Sequence, residues 1–441
     1  MICNKPLTPQ QKSKSQRNYC YYNAMNGVSY MCLGETILLL LAVKIKCPDW
    51  VISTLGSMIY FGFLMLPLGK TAAARLGGAG AQSFFWVCRN IVAVVVGISA
   101  IFSYFGYQTI AIILLLTGSF FFYGFRAAGV VMSQPLVGEV ADTNGSGKLL
   151  AVANGIFFFF RMATLIGITL IVNFNDSMWT LVIIILFGAS CGITSSKFLS
   201  NIDETTAIRD SAKKSVTADI RWGLRDAVMR KQLWSGFVCN LAWIMTIPIA
   251  SLAVKRGYNA DDFDVLVFTI SFSAGCCIMS FVGGYVAKML GPRKQLMIAQ
   301  IIMILTSAVW IILPEKLPYI YMLFHFFLLG TAGIWGLNAS PHYFLQTVPQ
   351  PRQVGASMLL SVVTGVIAGV TGILLTGFIL ETVPNFTSTP LNGYKLYFAI
   401  TTILLIPGYW AFKALTPLPV DKRKLSKLLL RRIIFFIYRR Y

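Results

Sequence analysis

Apolar runs of roughly 20 residues recur from residue 20 to residue 414, each closed by a short polar stretch. Such a run crosses ~30 Å of hydrocarbon as a helix. The pattern predicts twelve spans, at about 20–44, 49–69, 83–105, 107–131, 149–173, 177–196, 231–255, 263–287, 295–313, 318–339, 355–380 and 394–414. The runs are continuous rather than alternating, which excludes a membrane β-barrel. The predicted class is an all-α membrane protein. Its longest polar connection, Lys197–Lys231, divides the chain into a half at 20–196 and a half at 231–414, six spans each. Mixed charges in that connection (197–230) predict a surface-lying helix around Ala218–Met229, preceded by a flexible part. Residues 1–19 form a polar N-terminal segment and 415–441 a basic tail.

Composition agrees, with 56% hydrophobic and 12% charged residues, too much apolar surface for a soluble domain. The net charge of +21 would suggest nucleic acid if it were spread evenly. With both termini placed in the cytoplasm, 28 of the 37 Lys and Arg fall on the cytoplasmic side, 6 outside and 3 within spans, while acids divide as 8, 7 and 1. A face of +20 against one of −1 is a positive-inside signal; it orients the protein and predicts no nucleic-acid partner. The basic first 19 residues argue against a cleavable signal peptide, so the expected location is the plasma membrane, or the inner membrane of a bacterium. The tail segment Lys422–Tyr441 reads as an interfacial anchor on anionic lipid. Nine scattered cysteines have no metal spacing. No metal, cofactor or catalytic constellation is predicted, and the chain is read as a non-enzyme.

The two halves look alike. "PLGKTAAARLGGAGAQ" (Pro67–Gln82) follows the second span and "GGYVAKMLGPRKQ" (Gly283–Gln295) the eighth, both short, basic and rich in glycine. After spans four and ten a proline ends a helix, and a basic residue, Lys148 or Arg352, stands about a dozen residues later. A parallel duplication of six spans is the simplest account. In these features the chain resembles the major facilitator superfamily. The family's turn motif is matched in the second copy by Gly284, Gly291, Arg293 and Lys294, and in the first by Arg75 and Gly77. Ala74 and Lys288 stand where the family carries an aspartate that helps latch the cytoplasmic side. The resemblance implies two six-helix bundles, transport by alternating access, and a latch made differently here.

The embedded ionisable residues carry the candidate chemistry. Arg89 lies near the end of span three, within snorkelling reach of water, and is read as structural. Arg126, five residues from the end of span four, is divided between a site and a structural reading, since span four lines the cavity in the family fold. Arg161, in "GIFFFFRMATLIG", has ~18 Å of helix on either side; it must pair with another group or face an aqueous cavity. Glu35 is the one acid inside a span and His325 the one histidine at depth; both are candidates for proton coupling. Three cations against one acid favour an anionic substrate group, which suits the planar guanidinium fork. Asn240, Trp243, Trp335 and Asn338 form a candidate polar and aromatic wall from the second half.

The expectation is therefore a monomeric secondary transporter of a small organic, anionic solute, coupled to protons as a symporter. The alternatives are a facilitator of a sugar, polyol or other neutral solute, and a polytopic receptor that transports nothing.

Overall fold

A computed structural model describes residues 2–141, 145–175 and 177–418, apart from the side chains at 35, 49, 53, 57, 262 and 384. The tail segment assigned to lipid lies outside the described residues. Ten helices are long and apolar enough to cross a membrane. Two of them, Met58–Tyr104 with 47 residues and Phe263–Ile312 with 50, would reach about 70 Å if straight, more than twice the hydrocarbon thickness. Each folds back at one glycine in the left-handed region, Gly77 (φ 78°) and Gly291 (φ 74°). Both belong to the basic turns singled out in the sequence.

The first helix, α1 (Pro9–Cys32), starts eleven residues before the apolar run does. Thr8 caps it through a reciprocal bond pair with Gln11, and Pro9 takes the first turn, a start signal that outweighs local polarity. Its polar residues Ser15, Asn18, Asn23, Asn26 and Ser29 are buried against neighbours. The rod breaks at Leu33–Gly34 and resumes as α2 (Glu35–Lys44). Then follow α3 (Asp49–Phe61), α4 (Leu66–Tyr104, bent at Gly77), α5 (Gln108–Val130), the short α6 (Ser133–Val140), α7 (Ser146–Phe174) and α8 (Met178–Ser200).

The long connection is ordered, contrary to expectation. Strand β1 (Ile2–Cys3) pairs in parallel with β2 (Glu204–Thr205), and Thr205 caps α9 (Thr206–Ala212). The expected surface helix is α10 (Val216–Arg225), starting two and ending four residues earlier than predicted, because Asp226 leaves the helix to cap the next one. Nor does it lie free on the surface, since Asp219 and Gly223 are buried. The second half continues with α11 (Ala227–Leu252), α12 (Asp262–Val309, bent at Gly291), α13 (Tyr319–Thr347), α14 (Gln353–Ser361), α15 (Ala368–Thr382) and α16 (Pro390–Lys413). A π-helical stretch, Val362–Ile367, joins α14 to α15.

Each half has its own apolar core, and α7 and α12 form the main seam between them. Phe158 of α7 is counted in the second half's core. Ser280 donates to the Ala151 carbonyl at 2.7 Å, and the Phe281 ring lies on Gly155, where a Cβ would sit 2.6 Å from it. A third cluster, around Leu136, Val140, Ile202 and Val354, lies where the N-terminal segment and the long connection gather; this side is called the loop face below.

Gly77 offers a test of the bend. An L-residue in the left-handed region costs about 1–2 kcal/mol, and a Cβ there would lie 2.3 Å from Glu204 Oε1. Gly77→Ala should lower the thermal midpoint in detergent by several degrees. Gly167→Ala, in a helix with nothing within 4 Å of the added carbon, should leave it unchanged or raise it. Equal midpoints would show that the bend does not need glycine.

Candidate binding site and its gate

Three helices bring the site together. Tyr30 of α1 stacks with two cations, the Arg126 guanidinium 5.1 Å and that of Arg161 5.2 Å from its ring centroid. Arg161 also lies 5.6 Å from the Phe158 ring. Both arginines are half-buried. Among the described residues neither has a carboxylate in ion-pair range. Ring stacking offsets about 0.5–2 kcal/mol per cation, less than the at least 2.5–3.5 kcal/mol that a mid-membrane arginine costs on insertion scales. The remainder leaves the pair attractive to an anion.

Arg89 does not snorkel. It is 1% exposed and turned inward, stacked on Trp86 at 4.9 Å and Phe122 at 5.4 Å. It donates to Ser29 Oγ at 3.1 Å and Asn26 Oδ1 at 3.4 Å. The polar stripe of α1 supplies these acceptors, and that stripe lies on the part of α1 before and just inside the apolar run. Glu35 opens α2 directly after the break at Gly34; its side chain lies outside the described parts.

The second-half wall is not assembled as expected. Trp335 Nε1 donates to the Met279 carbonyl at 2.9 Å. Asn338 accepts from Asn154 at 2.6 Å and donates to Ser280 Oγ at 3.0 Å, so it ties α13 to α7 and α12. Asn240, half-buried, donates to the Gly236 carbonyl of its own helix, and Trp243 packs edge-on to Phe272 over Gly333. His325 is 2% exposed, accepts the Trp310 indole N–H at 3.0 Å and sits beside Phe326 in the second half's core. Sequence reasoning missed Asn154 and Ser280, two polar residues standing alone in apolar runs.

At the loop face acids replace the missing aspartate of the turn motif. Beyond the Gly77 bend, the N–H groups of Gly78 and Ala79 donate to the Glu204 carboxylate at 2.8 and 3.2 Å, where the restarted helix offers unpaired donors. Asp219 of α10 is buried and ion-paired on both sides, to buried Lys70 of α4 and, at 3.1 Å, to Arg352 before α14. One carboxylate thus joins the two halves. Glu139 of α6 accepts from Thr205 and from Gln350, and the Val354 N–H donates to Ser211 Oγ. Of the motif residues, Arg293 donates to the Lys413 carbonyl and Gly284 faces Ala151 across the seam. Arg75 and Lys294 are exposed. A cavity of about 750 Å³ lies at this face, lined by Lys5, Lys12, Glu139, Gln346 and Gln350, and is separate from the arginines. Burial raises the Glu204 pKa to about 7 against the pull of its two N–H donors, and the nearby Glu139 charge adds to the rise.

The fold matches transporters of solved structure over almost their whole length. The chain is similar to a bacterial homologue of the iron transporter ferroportin in its outward-facing state (14% identity, 90% of this chain and 98% of that one, TM-score 0.68). It is similar also to the human organic anion transporter MFSD10 (12%, 92% and 100%, 0.69). The major facilitator superfamily proton:xylose symporter XylE is a third (10%, 93% and 97%, 0.69). No protein-family model and no curated protein sequence matches the chain. The chain thus has the fold of major facilitator superfamily transporters, a multi-pass membrane architecture.

Two outcomes are expected at the gate. Asp219→Asn leaves Lys70 buried without its counter-charge, which costs about 3–5 kcal/mol when one partner of a buried pair is removed. Hydrogen exchange should quicken at 216–225 and 352–361 and stay unchanged in α16; unchanged exchange throughout would make the pairing idle. Glu204 holds its proton more tightly folded than unfolded, because its folded pKa near 7 exceeds the ordinary 4.5. The stability it contributes therefore falls as pH rises between those values. Thermal midpoints taken from pH 5 to 7 should drop less in Glu204→Gln than in the unmodified protein.

Proposed function

We propose that this chain is a secondary transporter moving a small organic anion by alternating access between two six-helix bundles, 20–196 and 231–414. One observation carries the substrate class: two half-buried guanidiniums share the Tyr30 ring with no acid partner among the described residues. A carboxylate or phosphate group would take both N–H forks, and an apolar remainder would meet Phe158 and the rings of α1. The positive-inside asymmetry of the sequence supports a cytoplasmic loop face, with both termini on that side. Seams at Ser280–Ala151, Asn338–Asn154 and Asp219 then close the cytoplasmic side, leaving the site to be reached from the other.

Glu35 is the proposed proton-coupling carboxyl. Its backbone follows Gly34, which borders the same small cavity as Tyr30 and Arg126. His325 fits that role less well, since its Nε2 is engaged by Trp310. The neutral-solute alternative is weakened in the same way, because Trp335 and Asn338 spend their polar atoms on protein partners.

Binding and counterflow in proteoliposomes test the reading. Charge-assisted hydrogen bonds are worth about 1.5–3 kcal/mol, so Arg161→Ala and Arg126→Ala should each weaken binding of the best carboxylate about 10- to 100-fold. Exposed Arg75→Ala should leave it unchanged. Normal binding in both site variants sinks the anion reading. Glu35→Gln should abolish accumulation driven by a proton gradient while sparing downhill exchange. For orientation, a cysteine at Thr217, exposed on α10, should resist an impermeant maleimide in intact cells, and one at Asn385 should react.

A further inference from the structure

A second, smaller space adjoins the Tyr30 pair in the first half. Tyr30, Gly34, Ile59, Arg89, Phe122 and Arg126 border a cavity of about 30 Å³. A water needs about 10–15 Å³ measured this way, so the space admits one or two water-sized particles and no polyatomic organic group. Two of its walls are guanidiniums. Arg89 is 1% exposed, and its Nε has no hydrogen-bond partner among the described residues. The bonds that its other nitrogen makes go to neutral oxygens of Ser29 and Asn26. Neutral acceptors orient a guanidinium but do not cancel its charge in a low dielectric, and among the described residues no carboxylate is ion-paired with Arg89.

We infer that this cavity is a binding site for a small monovalent anion, chloride, distinct from the position of the transported solute. Three features select that chemistry. Two cations meet at one small volume, so a single negative charge there is attracted by both. Arginine is weakly hydrated and tolerates such an arrangement better than lysine. Apart from the two tyrosines, Tyr30 and Tyr123, the remaining walls are apolar, Leu33, Ile59 and Phe122 among them; so small and dry a space disfavours sulfate, which must keep its water, and favours a halide. An occupied site would also fix Arg126, the residue shared with the solute position, so that solute would meet a set guanidinium. Chloride would then act as a bound co-ion that prepares the site.

The purified protein in detergent, at constant ionic strength with gluconate as the replacing anion, allows a direct test with radiolabelled chloride. Binding should saturate at about one ion per chain, with bromide competing and sulfate, acetate and gluconate not. Arg89→Gln should weaken it at least tenfold, whereas Arg75→Gln should not change it. Where Arg89→Gln fails to fold, the competition series on the unmodified protein decides alone. Absence of saturable chloride binding, or binding undiminished in a folded Arg89→Gln, overturns the site. Acetate competing as well as bromide overturns it too, since the cavity would then serve a solute carboxylate. None of these readouts uses the organic anion, so a failure of the solute reading leaves them intact and separately interpretable.

Discussion

A cation in hydrocarbon must be stacked, hydrogen-bonded or neutralised, and three arginines in the first half impose that requirement on everything around them. The chain meets it first with rings. Trp86 and Phe122 stack on Arg89, Tyr30 serves both Arg126 and Arg161, and Phe158 adds a second ring to Arg161. Stacking orients the guanidinium and spares its N–H groups, so the stabilisation is bought without occupying the donors. An ion pair with an acid would have stabilised each arginine more strongly and left nothing for a ligand. The polar stripe on α1 follows from the same need, since Asn26 and Ser29 hold Arg89 and make α1 the organising helix of this half.

The acids that do pair with cations lie at the loop face. Asp219 takes Lys70 from one half and Arg352 from the other. Gly355 is needed beside it, because a Cβ there would lie 2.0 Å from Asp219 Oδ2. A buried pair of this kind adds little net stability, because desolvation offsets most of the attraction. It is costly to break unevenly, however, which suits a contact that must be either fully made or fully released. The long connection therefore joins the two halves at this face. Asp219 bridges them, and Glu204 accepts from the N–H groups at the bend itself.

The spans were legible because hydrophobic length is a strong signal, and both fold-back glycines stood in the basic turns that the repeat picked out. Helix starts were less legible. Thr8 and Pro9 begin α1 well before any apolar residue pattern does, and the buried polar side of α1 has the composition of a solvated segment. Arg161 was singled out from depth alone, and Arg126 from the place that the family resemblance gives span four. Arg89 was misplaced because snorkelling distance says nothing about direction, and its partners, Asn26 and Ser29, are 63 and 60 positions away along the chain. Asp219 was hidden for a different reason: in sequence it is one acid in a mixed-charge stretch, and only burial distinguishes it from Asp210, which is exposed. Asn338 was read as a wall residue, whereas its neighbours Asn154 and Ser280 turn it into a seam.

Site and seam share one helix. Along α7, Ala151, Asn154, Gly155, Phe158 and Arg161 are spaced by three or four residues or adjacent, so they lie on a single stripe. The first three meet Ser280, Asn338 and Phe281 of the second half, Phe158 enters that half's core, and Arg161 reaches Tyr30. From Asn154 to Arg161 is about 10 Å of rise. In the cycle proposed above, a charge captured at Arg161 would act on the same rod that carries the asparagine bonded to Asn338. The stripe presents a cation at one end and hydrogen-bonding groups at the other, so a rigid helix would couple ligand and seam without a relay.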